Sequence, residues 1–189
     1  MAKEAPMRKS KEETAQTRET IVSAASTHIR ETGLTGASVA EIMSAAGLTH
    51  GGFYRHFDNK DQLIHEALEV AAQASLENVQ RNIDKGGFNA ALDSYLSVHH
   101  RDASPPRCPY AALGSELARS SDEARTSVAT AIAKFVTALE NEGEQSHEDS
   151  VVAVATMVGA LILSRITAGT ALSNEFLAQS KKRLRRPTP

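Results

Sequence analysis

Cysteine is almost absent from this 189-residue chain: Cys108 stands alone, which excludes an intrachain disulfide and suits a reducing compartment. Proline is confined to positions 6, 105, 106, 109, 187 and 189, so long stretches are free of helix breakers. Runs of alternating apolar and polar residues joined by hairpin turns are missing, which argues against a β fold. No apolar stretch follows the charged start "MAKEAPMRKSKEETAQ", so no secretory signal is read there. The longest apolar run, Val151–Leu163, is short for a membrane span and is followed by Arg165, so it reads as a buried helix. Neither a Gly-rich phosphate loop, a His/Cys cluster at metal spacing nor a nucleophile elbow occurs, and no cofactor or metal is expected.

What is present is an ordinary globular balance, 41% hydrophobic and 23% charged residues, with an uneven charge distribution. Residues 1–60 are close to neutral, residues 61–180 carry eight Lys/Arg against sixteen Asp/Glu, and "KKRLRRPTP" adds five positive charges. A protein basic throughout is excluded, while a focused contact near the N-terminus remains open.

The pattern is helical throughout, giving an all-α expectation. A first helix spans about 14–32, with Ile21, Ala24, Ala25, His28 and Ile29 on one face and Gly33 as a stop. His28 on that face reads as a core histidine. Ser38 followed by Glu41 is a capping box that opens a short second helix ending at Gly47. A third short helix follows, capped by Thr49. Asn59 with Gln62 starts a long fourth helix to about Lys85, before Gly86-Gly87. Further helices are expected at about 88–101, 110–119, 122–141, 147–171 and 173–184, with a proline-rich break at "DASPPRCPY". The termini, residues 1–13 and 185–189, read as disordered.

The run "LTHGGFYRHF" stands out. Aromatics make up only 4% of the chain, yet Phe53, Tyr54 and Phe57 crowd into five positions beside two glycines. Each glycine costs a helix about 1 kcal/mol relative to alanine. Two short helices joined by a tight turn and braced by a first one form a helix-turn-helix pattern. Val39, Ile42, Ala46, Leu48, Phe53 and Phe57 fall at spacings that bury one face. Thr49, His50, Gly51, Tyr54, Arg55 and His56 remain on or near the other. A recognition helix presents its N-terminal residues to DNA, and missing side chains let the backbone approach the duplex.

Residues 18–68, and within them "GASVAEIMSAAGLTHGGFYRHFDNKDQLI", resemble the DNA-binding domain of TetR-type transcriptional regulators. The resemblance rests on a small residue and Ser before the second helix, on Gly47, Thr49, Gly51, Tyr54 and Phe57 at fixed spacing, and on Asn59-Lys60 with Leu63. Beyond residue 70 it rests on helix count and order, and "RCPYAALGSELARSSDEAR" is similar to one subgroup of that family's ligand domains.

The resemblance implies a helix-turn-helix domain over 1–58 and a helical ligand-binding and dimerisation domain over 59–189. It implies phosphate contacts from Ser38, His56 and Lys60, phosphate or a base edge for Thr49, a phosphate and a thymine methyl for Tyr54, a base contact from His50 and close approach at Gly51; Arg55, which many such proteins lack, points toward DNA as a guanine reader. His50 stands where such proteins often carry Lys or Arg, so affinity is expected to be lower and pH-sensitive. The implied protein is a cytoplasmic homodimer, paired through its last two helices, that leaves a palindromic operator when a small molecule binds. Leu92, Tyr95, Leu96, His99 and Cys108 are candidate lining of that ligand pocket, with Leu113, Leu117, Ile132 and Phe135. Tyr95 and His99, four residues apart on one face, either line it together with Tyr110 and Glu116 or simply pack. Two rival readings use Cys108: a thiol sensor activated by Arg107 and the following helix start, or a thiol enzyme with His99 or His100. An architectural DNA binder without a ligand is a third.

Overall fold

The computed structural model describes residues 11–140 and 146–187, and among these every regular element is helical. The order is α1 (Lys11–Gly36), α2 (Val39–Ala45), a 3₁₀ segment (His50–Arg55), α3 (Lys60–Tyr95), α4 (Val98–Arg101), α5 (Pro109–Leu117), α6 (Asp122–Glu140), α7 (His147–Ile166) and α8 (Ala171–Leu184).

Local chemistry accounts for most boundaries. Ser38 and Glu41 form the capping box of α2: Glu41 N–H donates to Ser38 Oγ at 3.2 Å and Ser38 N–H to Glu41 Oε2 at 3.4 Å. Asn59 caps α3 by accepting from Gln62 N–H at 2.8 Å, and Gln62 Oε1 accepts from Asp58 N–H at 2.9 Å. Both glycine stops interrupt a helix. Gly33 leaves α1 with φ +85°, and Gly87 adopts φ +66° behind Gly86, dividing α3 into two arms. α1 starts at Lys11, inside the segment expected to be an arm, with Glu12 and Glu13 at its positive end.

Three differences from the expectation appear, two of them with a plain physical cause. The third helix is a single 3₁₀ element: Gly52 N–H bonds Thr49 O and His56 N–H bonds Phe53 O, both three residues back. Two glycines and six residues give too little propensity to sustain an α-helix there. Thr49 precedes this segment but makes no side-chain cap bond. The helix expected at 88–101 breaks at Leu96-Ser97, because Ser97 Oγ accepts from His100 N–H at 3.0 Å and starts α4.

Two apolar clusters organise the chain. The head cluster joins Ile21, Ile29, Ile42, Met43, Phe53 and Phe57 to Leu63 of α3 and to Leu113 and Leu117 of α5. The body cluster joins Ile83, Phe88, Leu92, Tyr95 and Leu96 to Phe135, Leu139, Met157, Leu161 and Leu177. α7 spans twenty residues, ending at Ile166 rather than at 171 as expected, and by length and composition it could cross a membrane. In the fold it packs against α5, α6 and α8. The C-terminal residues expected to be loose are docked in part. Arg186 and Asn89 exchange two hydrogen bonds of 3.0 Å, and the Arg186 guanidinium lies 4.0 Å over Phe88.

Candidate functional site

The 3₁₀ segment separates its side chains sharply. Phe53 and Phe57 are buried and stacked at 5.5 Å, whereas Tyr54 stands edge-on to Phe53 with 73% of its surface exposed. Thr49, His50, Gly51 and Arg55 are exposed beside it, and His56 is half-buried. A Cβ added at Gly51 would meet nothing within 4 Å, so the fold itself does not demand glycine there. Gly52 faces inward, 3.6 Å from Met43 at its missing Cβ.

Two expected contact residues are engaged within the protein. The Ser38 hydroxyl donates to Glu41 Oε2 at 2.6 Å, and this bond is the main reason the exposed Glu41 carboxyl is held below its usual range. Lys60 Nζ donates to Leu34 O at 3.3 Å. Each is thus fixed at the edge of the exposed surface rather than projecting from it. His28, expected in the core, is half-buried, with Nε2 3.5 Å from Glu41 Oε2, because its position on α1 faces α2.

The brace behind the segment was not legible beforehand. Arg18 of α1 pairs with Glu66 of α3 through both guanidinium nitrogens, lies 4.5 Å over the Phe57 ring, and donates to His56 O at 3.3 Å. These partners lie 48 and 38 residues away in sequence, so local pattern carried no signal.

In the body, the expected pocket residues divide. Leu92, Tyr95, Leu96, Cys108 and Phe135 meet in the body cluster, with Ile132 packed at its margin. Leu113 and Leu117 instead serve the head cluster, because α5 crosses from one cluster to the other. His99 is exposed and its Nε2 is 2.8 Å from Arg107 Nη2. Glu116 is bonded to the head rather than facing Tyr95.

Cys108 is fully buried and accepts from Tyr95 O–H at 3.0 Å; burial pushes its thiol up, the reverse of what a sensor thiolate needs. Burial likewise pushes Tyr95 well up and Tyr110 up to about 12. His100, also buried, bonds Tyr95 O through Nδ1 at 2.8 Å, and desolvation lowers it to about 4. It is therefore a neutral imidazole at pH 7. Arg165 closes the cluster by donating to the carbonyls of His100 and Arg101 at 3.2 and 3.1 Å. Among the described residues no group of three or more His, Cys, Asp or Glu side chains is placed to hold a metal.

Residues 21–67, which span this braced segment from α1 to the first turns of α3, match the model of bacterial regulatory proteins of the tetR family. The match supports a regulator of the tetR family. Together with the relatives below, it supports a DNA-binding transcriptional regulator rather than an enzyme. The chain is 29% identical over 169 residues to an uncharacterized HTH-type transcriptional regulator of Mycobacterium tuberculosis, covering 79% of this chain and 84% of that one. The HTH-type regulator TtgR of Pseudomonas putida is 36% identical over 63 residues, 33% of this chain and 30% of that one. The fold matches a TetR regulator from Chloroflexus aurantiacus with a TM-score of 0.75 at 24% identity, over 92% of this chain and 94% of that one. It also matches AibR, solved with isovaleryl coenzyme A and operator DNA, with a TM-score of 0.60 at 20% identity, over 88% of this chain and 97% of that one.

Proposed function

We propose that this TetR-family regulator is a homodimeric repressor that reads a palindromic operator through its 3₁₀ segment and leaves it when a small molecule binds the body. The observation that carries the reading is the exposed set of Thr49, His50, Gly51, Tyr54 and Arg55, set over buried Phe53 and Phe57. Exposed donors on a fixed, shallow element suit groove contact, with Tyr54 and Thr49 on phosphates and Arg55 on a guanine edge. His50 is the second base reader, and His56, Ser38 and Lys60 steady the backbone from the edge of the surface. The functional division follows residues 1–58 and 59–189, and the working compartment is the cytoplasm.

Dimerisation is supported by the outer face of α7 and α8. Val152, Leu163, Ile166 and Leu172 are exposed there, with Ile166 at 73% and Val152 at 58%. Small residues such as Ala155 and Gly159 share the stripe, so two copies can approach closely and bury it as a four-helix seam. One recognition element reads a few base pairs, and two-fold symmetry doubles the contacts across successive major grooves.

For the effector, the groove between α3 and α6 is the strongest candidate. It holds about 310 Å³, within the range of small-molecule sites, and lies between Glu69, Gln73, Leu76, Thr130, Ala131 and Lys134. Ala72 and Ala131 form its floor against the body cluster that contains Leu92, Tyr95, Leu96, Ile132 and Phe135. A non-covalent effector fits the buried, protonated Cys108 better than an electrophile does. Selection of bound sequences from random DNA tests the reading. Enrichment of a two-fold symmetric site by the wild type, lost in Tyr54→Ala, is the expected result; no enrichment, or a site without symmetry, would refute it.

A further inference from the structure

We propose that Glu116 is a positioning residue through which the body sets the orientation of the DNA-reading head. The last turn of α1, beyond the kink at Gly33 and just before α2, is gripped from two sides. On one side, the Glu116 carboxylate of α5 accepts from the N–H of Leu34 at 2.8 Å and from that of Thr35 at 3.3 Å. On the other, Leu34 O accepts from Lys60 Nζ, at the first residue of α3. A single peptide segment therefore carries bonds to the body and to the connecting helix at once.

These are not local caps. Glu116 lies 82 residues from Leu34, and the acidic residues nearer in sequence are engaged elsewhere, Glu41 in the α2 capping box and Glu31 facing Ser104 Oγ. Gly33 makes the approach possible. A Cβ at this residue would lie 2.8 Å from Glu116 Oε1 and 3.2 Å from Oε2, and its φ of +85° is independently unfavourable for other residues. The empty position is filled by the carboxylate itself.

The same helix reaches the other end of the switch. α5 is nine residues long, about 13 Å of rigid rod at 1.5 Å per residue. Cys108 at its start sits beside Tyr95 in the body cluster, and Leu113 and Leu117 on its far half belong to the head cluster. Arg30 of α1 ties the loop before it, donating to Pro106 O at 2.8 Å. A shift of the body near Tyr95 and Cys108 thus reaches the Leu34–Thr35 turn, and with it α2, through one bonded path. Coupling is reciprocal, so DNA on the head must be felt along α5.

The proposal rests on operator binding by the head, and the test separates the two. Amide hydrogen exchange is measured on the full-length protein, with and without the operator obtained by selection. In wild type the operator slows exchange over 39–57, where it touches, and also changes exchange over 109–117. In Glu116→Ala the head protection persists while the change over 109–117 is lost, and operator affinity shifts about fivefold or more. Glu116→Gln keeps one acceptor oxygen and restores most of the α5 response, which a loss of general stability would not predict. Gly33→Ala, which drives the carboxylate away, reproduces the loss without touching Glu116. An α5 response absent in wild type, or equal in wild type and Glu116→Ala, overturns the latch. Missing head protection in wild type would sink operator binding, and the latch with it.

Discussion

Lowering the pH should loosen the body through His100. This side chain is 5% exposed, and desolvation, only partly offset by its bond to Tyr95 O, lowers its pKa from 6.5 to about 4. The unfolded chain binds a proton at His100 below pH 6.5, whereas the folded one resists until about pH 4. The folded state is therefore favoured fully above pH 6.5 and loses ground as the pH falls through that window. The shift corresponds to about 2 kcal/mol lost by pH 5 and about 3 kcal/mol once both states are protonated. The assay is urea denaturation of wild type and His100→Asn at intervals from pH 7.5 to 4.5, above the range where most carboxylates dominate. The wild type should lose stability more steeply than the variant, and the difference between the two slopes isolates His100 from His28, His65 and His147. Imidazole NMR supplies the direct check. Parallel slopes, or a His100 resonance titrating near 6.5, would refute the reasoning.

Three further outcomes follow from the same geometry. Tyr54→Ala should weaken operator binding with helicity unchanged, because the ring is exposed, while Arg55→Ala should relax preference at one base position; equal loss on every sequence would make Arg55 a phosphate contact. Arg18→Ala removes the pairing with Glu66 and the contact with Phe57, and should lower stability by about 1 kcal/mol, read by denaturation; no change would mean the half-exposed pair is fully compensated by water. A Cβ at Gly159 would meet nothing within 4 Å in its own chain, so the protomer should tolerate Gly159→Leu while the dimer fails in sedimentation; an intact dimer would place the seam elsewhere.

Helix punctuation could be read directly from the residues, because caps and glycine stops act within four positions of the backbone they control. Ser38 with Glu41, Asn59 with Gln62, Gly33 and Gly86-Gly87 all mark boundaries where they were expected. The division of the 3₁₀ segment into buried Phe53 and Phe57 and exposed Tyr54 and Arg55 was legible for the same reason, since it follows from spacing along one short element. Neighbours brought together by folding were not. The expected pocket grouped Leu113, Leu117 and His99 with Tyr95, yet α5 runs between two clusters and His99 turns outward toward Arg107. The pairing of Arg18 with Glu66 and of Glu116 with the Leu34–Thr35 turn joins residues 48 and 82 positions apart. Periodicity says which face of a helix is apolar, and only the packing of all the helices decides which neighbour that face meets and which backbone amide a distant carboxylate reaches.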